Sequence, residues 1–200
     1  AAAPADGAAK PKGKQGEGEP EEGDESKPKD GEDQDGVRFR GGFVVPAVGP
    51  AFVPGTDAAG LTIAPVGFDL GIQIIHYFGV VYRATPHITL ISDGFDVVGG
   101  FLLNNTLLGM FSIGKGVYFD AGVGPSIDLY ALGAIGVSGA GAAADVAPGL
   151  GTRLALGFGG GPSDDSPRRA AFKITVDPHF MFIGDAVLIT MPVGIGAEWF

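Results

Sequence analysis

Residues 171–200 read AFKITVDPHFMFIGDAVLITMPVGIGAEWF, and this stretch alternates between apolar and polar side chains with a period of two. The alternation covers residues 172–182 and 187–199, and it is interrupted only at residues 184–185. A period of two indicates β-strands, because successive side chains of a strand point to opposite faces. Each run is about as long as a tilted strand needs to cross a bilayer, roughly 9–11 residues.

The same alternation recurs through most of the chain. It predicts six further strands, over residues 37–45, 66–74, 80–90, 95–103, 117–129 and 150–158. Residues 47–60 and 159–170 are predicted loops, because they are rich in Pro and Gly or in polar residues. The predicted fold is therefore an all-β, antiparallel barrel of eight strands.

Two stretches leave the strand count open. Residues 105–114 and 131–147 are either a long turn and a loop or two additional strands, which would give ten. A membrane-spanning helix over residues 97–114 is a third reading. Asn104 and Asn105 stand at its centre, which argues against a helix that needs about 20 predominantly apolar residues.

The first 36 residues differ in composition from the rest. They contain no aromatic residue and no Val, Ile or Leu, and their eleven acids and five lysines give a net charge of −6. Such a segment buries too little apolar surface to offset its chain entropy, so we predict a disordered tail over 1–36 and a barrel over 37–200. The tail is interpreted as a solvated spacer, with a cell-wall or periplasmic partner as the alternative.

Charge and cysteine content exclude several functions. The chain carries a net charge of −10 and no cysteine, so it offers neither a disulfide nor a thiolate metal site. No basic patch exists to neutralise phosphates, which argues against nucleic-acid binding. The chain begins with Ala-Ala-Ala-Pro, and we interpret it as an exported protein whose signal peptide has been removed.

The apolar series could face inward around a ligand, as in a soluble lipocalin-like barrel, or outward to lipid. Its many large rings are too bulky for a small barrel interior, and the opposite series is glycine-rich and mixes acids with bases. Both features favour the membrane. The residues predicted to face lipid are Phe68, Leu70, Ile72, Phe119, Leu154, Phe172, Ile174, Ile189, Ile195 and Trp199.

The polar series is predicted to fill the lumen as paired groups, because an eight-stranded barrel is just wide enough for its side chains. Buried charges are tolerated when they are paired and hydrogen-bonded. The predicted lumen network consists of Arg38, Arg40, Asp69, Arg83, His87, Asp96, Asp120, Asp128, Arg153, Lys173, Asp177, His179 and Glu198.

In architecture, residues 37–200 resemble the small bacterial outer-membrane barrels of the OmpA, OmpX and OmpW type. The final residues, Gly194 to Phe200, resemble the C-terminal signal that the outer-membrane assembly machinery reads, a last strand closing on Phe200. Phe200 departs from this signal, since it is out of step with the apolar series of Trp199. The resemblance implies an outer-membrane location with the tail in the periplasm, and lipid and the assembly machinery as partners.

No catalytic or cofactor site is predicted. His87, His179 and Asp177 share the polar series, but no Ser, His and Asp occur at a spacing that specifies a catalytic triad, and a metal site there has no further support. We therefore predict a barrel without cofactor, metal or enzymatic activity. Its mostly plugged lumen would serve envelope structure, surface contact or slow passage of small solutes. The alternatives are a barrel enzyme acting on lipid or surface peptide and a soluble ligand-binding barrel.

Overall fold

The structure is a computed structural model that describes residues 37–136, 139–160 and 170–200. The predicted tail over residues 1–36 and most of the predicted loop over 159–170 lie outside these residues. Within the described part of the chain, no helix is long and apolar enough to cross a membrane. The helical reading of residues 97–114 is wrong, because a strand runs through the entire stretch.

The described residues form eleven antiparallel strand segments. They are β1 (Arg38–Phe52), β2 (Ala59–Ala64), β3 (Gly67–Ile75), β4 (Phe78–Ser92), β5 (Asp96–Lys115), β6 (Val117–Gly136), β7 (Gly139–Gly159), β8 (Ala170–Val176), β9 (His179–Ile183), β10 (Ala186–Thr190) and β11 (Val193–Trp199). Three long strands are interrupted, each into two successive segments: β2 and β3, β8 and β9, and β10 and β11. Counted in this way, eight long strands close into a ring. The predicted eight-stranded antiparallel barrel is confirmed.

Each interruption of a long strand contains a proline. Pro65 separates β2 from β3, Pro178 separates β8 from β9, and Pro192 separates β10 from β11. Proline has no backbone N–H to donate to a neighbouring strand, so the hydrogen-bond ladder lapses at these points. In β1 the register with β11 shifts between Val44 and Ala47, around a fourth proline.

The stagger of the strands follows from the pairing. From Phe52 on β1, successive partners through β2, β4, β5 and β6 lead to Ala140 on β7. Partners in the other direction, through β10 and β9, lead to Leu150 on the same strand. The offset is 10 residues, which is the shear that tilts the strands of this closed barrel.

The ten-strand alternative is wrong, because the two ambiguous stretches continue existing strands. Residues 105–114 belong to β5, residues 131–136 to the end of β6, and residues 139–147 to the beginning of β7. The predicted loop over 47–60 is also too long. β1 continues to Phe52 and β2 starts at Ala59, so Gly49, Pro50 and Gly60 lie within paired strands, while Pro54 and Gly55 lie in the shorter loop between them.

The two ends of the barrel differ. At the end called here the terminal end, β1 begins and β11 finishes. The opposite end, called the loop end, carries the connections at residues 53–58, 93–95 and 184–185, and there β6 ends and β7 begins. In the turn before β5, the Asp93 carboxylate accepts hydrogen bonds from the backbone N–H groups of Asp96 and Phe95, which lowers the pKa of Asp93.

The barrel exposes apolar side chains on its outside and buries polar ones inside. Large hydrophobic residues on every long strand are exposed, such as Phe68 at 57 % and Ile88 at 59 %. Between them in sequence, inward-facing residues such as Arg40 and Lys173 are 0 % exposed. This is the reverse of a water-soluble protein and matches the alternation of a transmembrane barrel.

Inside the barrel the side chains form three layers. The ionic layer lies toward the terminal end, and its members are given below. The middle layer is polar and contains Thr62, His87, Thr89, Asn104, Ser126, Asp128, His179 and Thr190. The apolar layer lies toward the loop end and contains Ala51, Ile91, Leu102, Ala147, Met181 and Leu188.

Candidate functional site in the barrel lumen

The ionic layer is one continuous network of four cations and four carboxylates. Asp69 is its centre: Arg83 Nε lies 2.7 Å from Asp69 Oδ1, while Arg153 Nη1 and Lys173 Nζ lie 2.5 and 2.9 Å from Asp69 Oδ2. Asp177 bridges the same two arginines, at 2.7 Å from Arg83 and 2.8 Å from Arg153. Three positive groups thus converge on a single buried carboxylate.

A second part of the layer is built around Arg40. Its guanidinium lies 2.5 Å from Asp120 Oδ2 and 2.7 Å from Glu198 Oε1. Lys173 joins the two parts, because its ammonium nitrogen lies 3.7 Å from Glu198 as well as close to Asp69. The formal charges balance, so no side chain in the layer is a buried ion without an opposite charge.

All eight long strands contribute to the ionic layer. β5 supplies Ser112, whose hydroxyl accepts a hydrogen bond of 3.0 Å from Arg40. The other seven contribute the charged groups Arg40, Asp69, Arg83, Asp120, Arg153, Lys173 with the adjoining Asp177, and Glu198. The layer therefore links strands that do not pair with each other.

Phe200 closes the ionic layer at the terminal end. Its ring centroid lies 5.0 Å from Arg40 Cζ and 5.8 Å from the Tyr118 ring, which it meets edge to face. Tyr118 in turn donates a hydrogen bond of 3.2 Å to Glu198. The side chain of Phe200 thus points into the barrel while that of Trp199 faces outward, because consecutive side chains of a strand point to opposite faces.

The middle layer contains a buried cluster of Ser126, Asp128 and His179. His179 Nε2 lies 2.7 Å from Asp128 Oδ2 and 3.3 Å from the Ser126 hydroxyl, which also donates to Asp128 at 3.1 Å. The cluster depends on Gly149 of β7, because a Cβ there would collide with Ser126 Oγ and Asp128 Oδ2. This requirement explains one glycine of the polar series.

These three residue types also form hydrolytic triads, but their arrangement here differs. In a triad the carboxylate binds one imidazole nitrogen and the other nitrogen takes the proton of the serine. Here both Ser126 and Asp128 contact the same nitrogen, His179 Nε2. The geometry therefore fits a structural hydrogen-bond cluster and provides no proton relay.

A small pocket lies between the ionic and middle layers. Its polar wall includes Arg83, His87, Asn104, Arg153, Asp177 and His179, and its apolar wall includes Val44, Ala64, Leu108 and Pro192. His87 and His179 therefore line one pocket with Asp177. Within the described residues, however, no group of three or more His, Asp or Glu side chains is placed to hold a metal ion.

The structure places eleven of the thirteen predicted network residues inside the lumen. Eight form the ionic layer, while His87, Asp128 and His179 belong to the middle layer. Arg38 at the start of β1 and Asp96 at the loop end are both partly exposed.

Of the residues predicted to face lipid, nine are exposed and Ile189 is half-buried. The sequence did not single out Gln73, Ser112, Tyr118 or Ser126, all of which hydrogen-bond within the lumen. Ser112 was missed because residues 105–114 had not been assigned to a strand. The other three are uncharged polar residues at alternate positions of predicted strands, and this pattern could have identified them as lumen residues.

Comparison with known proteins extends only to the fold. No protein-family model matches the chain, and no curated protein sequence does. Neisserial surface protein A (NspA) is similar in structure, with a TM-score of 0.53 and 10 % identity over 82 % of this chain and 97 % of that one. The Ail attachment invasion locus protein of Yersinia pestis has a TM-score of 0.47 and 12 % identity, over 80 % of this chain and 98 % of that one. OprG from Pseudomonas aeruginosa has a TM-score of 0.41 and 14 % identity, over 82 % of this chain and 94 % of that one.

The chain has the fold of a small bacterial outer-membrane β-barrel, as the sequence predicted. The soluble lipocalin-like alternative is inconsistent with the large apolar side chains exposed around the barrel.

Proposed function

We propose that this protein is a closed, non-enzymatic barrel of the bacterial outer membrane that serves envelope structure and surface contact. The observation that carries the proposal is the continuous ionic layer across the lumen. Its eight charged groups are nearly all buried and are bonded to each other. A water-filled channel would instead leave such groups hydrated and separate.

The apolar layer closes the lumen a second time. Leu102 and Met181 are each 1 % exposed and pack with Leu188 and Ile91 across the loop end of the interior. An ion that entered from this end would lose its hydration against hydrocarbon side chains, which is costly. Two successive barriers of different chemistry support a closed barrel.

Surface contact is supported by the three longest strands. β5, β6 and β7 contain 20, 20 and 21 residues, about twice the roughly 9–11 residues that a strand needs to cross the membrane. The outer part of β7, from Gly139 to Val146, is exposed on both faces. With the terminal end in the periplasm, this extension would project from the cell surface, and lipid and the assembly machinery would be the barrel's partners inside the membrane.

The proposal is tested by electrical recording from the refolded protein in planar lipid bilayers. We expect no steady ion conductance from the wild-type barrel under conditions in which a general porin conducts. The paired variant Leu102→Ala/Met181→Ala should also remain closed, because the ionic layer is intact. A steady ohmic conductance from the wild-type protein would contradict the proposal and favour solute passage.

A further inference from the structure

Three oxygen atoms in the middle layer have no hydrogen-bond partner among the described residues. They are Asn104 Oδ1, Asp128 Oδ1 and Thr190 Oγ1, on side chains that are 3 %, 0 % and 2 % exposed. A fourth such oxygen, on Asp120, belongs to the ionic layer. Buried oxygens of this kind are rare in folded proteins, and each one points to a partner such as a water or an ion.

The residues that carry the three oxygens are linked to one another through strand pairing and through His179. Asn104 on β5 is directly opposite Asp128 on β6, where paired residues have Cβ atoms about 4.5–5.5 Å apart. Thr190 on β10 is directly opposite His179 on β9, and His179 Nε2 is 2.7 Å from Asp128 Oδ2. Four neighbouring residues therefore present three oxygens that no described side chain satisfies.

The carboxylate of Asp128 is set apart from the other carboxylates of the lumen. Asp128 is the one fully buried carboxylate of the described residues that lies outside the ionic layer, where the charges already balance. Its ionic partner among the described side chains is His179. A neutral imidazole can donate this hydrogen bond from Nε2 as well as a protonated one can, so the contact does not itself supply a positive charge.

We propose that Asp128, Asn104 and Thr190 bind a small monovalent cation of the sodium class. Carboxylate, amide carbonyl and hydroxyl oxygens are ligands that hard cations prefer. A single carboxylate balances one positive charge, whereas Ca²⁺ takes 6–8 oxygen ligands and its sites usually combine carboxylates. The adjacent pocket, which Asn104 and His179 line, offers room for water to complete the coordination.

The site would hold strands together next to an interruption of the wall. Its residues come from β5, β6 and β10, and His179 follows directly on Pro178, which interrupts the long strand made of β8 and β9. A cation bound to Asp128 and Thr190 would link β6 to β10, two strands that do not pair with each other. The bound ion is therefore a stabilising link within the barrel wall.

The test is urea unfolding of the full-length protein in detergent micelles, with sodium replaced by choline at constant ionic strength. If a cation binds only the folded barrel, the unfolding equilibrium constant should fall about tenfold for each tenfold rise in sodium above the dissociation constant. Asp128→Asn should abolish this dependence. The matched control Asp145→Asn, at an exposed position of β7, should preserve it.

A second measurement does not depend on variants that fold. The folded wild-type protein should broaden the ²³Na resonance of dilute sodium, and the protein unfolded in urea should not. If the unfolding equilibrium constant of the wild-type protein does not change with sodium concentration, the proposal is overturned. The Asp128 carboxylate would then be bonded by His179, or by the amide nitrogen of Asn104, and not by a cation. An equal sodium dependence in the wild-type and Asp128→Asn proteins would also overturn it.

Discussion

Replacing Asp69 by Ala tests whether the lumen is held by a buried, bonded network. Asp69 is 4 % exposed and accepts from Arg83, Arg153 and Lys173 at 2.5 to 3.1 Å. Its removal leaves three cations with only Asp177 and Glu198 to oppose them. Breaking a buried ion pair from one side costs about 3–5 kcal/mol, so we expect a loss of that size in the free energy of unfolding.

The assay is equilibrium urea unfolding in detergent micelles, with Thr89→Ala as a control. Thr89 is 1 % exposed and loses only a neutral hydrogen bond with Thr62, so this change should cost about 0.5–1.5 kcal/mol. The double variant Asp69→Ala/Lys173→Met should recover part of the loss, because contacting residues couple by about 0.5–3 kcal/mol. Losses below about 1 kcal/mol that add without coupling would refute the network and indicate hydrated, screened charges.

Two further predictions concern the outer face and the tail. Ile174→Arg places a charge on the apolar outside of β8 and should lower the free energy of unfolding by up to about 4 kcal/mol in lipid vesicles, while Ile174→Phe should change it by less than about 1 kcal/mol. Equal effects of the two changes would show that this face does not contact lipid. Deletion of residues 1–36 should leave the yield of folded barrel unchanged, as measured by its heat-dependent shift in gel mobility, because these residues lack core-forming side chains. Loss of folding in the deletion would give the tail a role in assembly.

The sequence predicted the strands well because their alternation is a local property. Phe172 and Ile174 reveal their face through their immediate neighbours, and the same holds for Phe68 and Leu70. It predicted the ends of strands less well. Gly49 and Pro50 signalled a loop, yet they lie in β1, which remains paired with β2 at both positions.

The partners within the lumen could not be predicted in the same way. Arg153 and Asp69 are 84 residues apart in the chain and meet because of the shear and the strand order. Alternation shows that both point inward, but not at which height each one lies. The cluster of Ser126, Asp128 and His179 was missed for this reason, since its residues lie on β6 and β9, which both pair with β7 and whose side chains meet across it.

The interruptions of the strands and the charged groups of the lumen are physically connected. Asp177 precedes Pro178 in the break between β8 and β9, and its backbone N–H donates to the carbonyl oxygen of Pro192 in the next break. Its carboxylate meanwhile holds Arg83 of β4 and Arg153 of β7. The wall loses ladder hydrogen bonds at these prolines, and side chains from the same positions connect strands through the interior instead. Because those connections cross the lumen, the contacts that support the interrupted wall also fill the interior of the barrel.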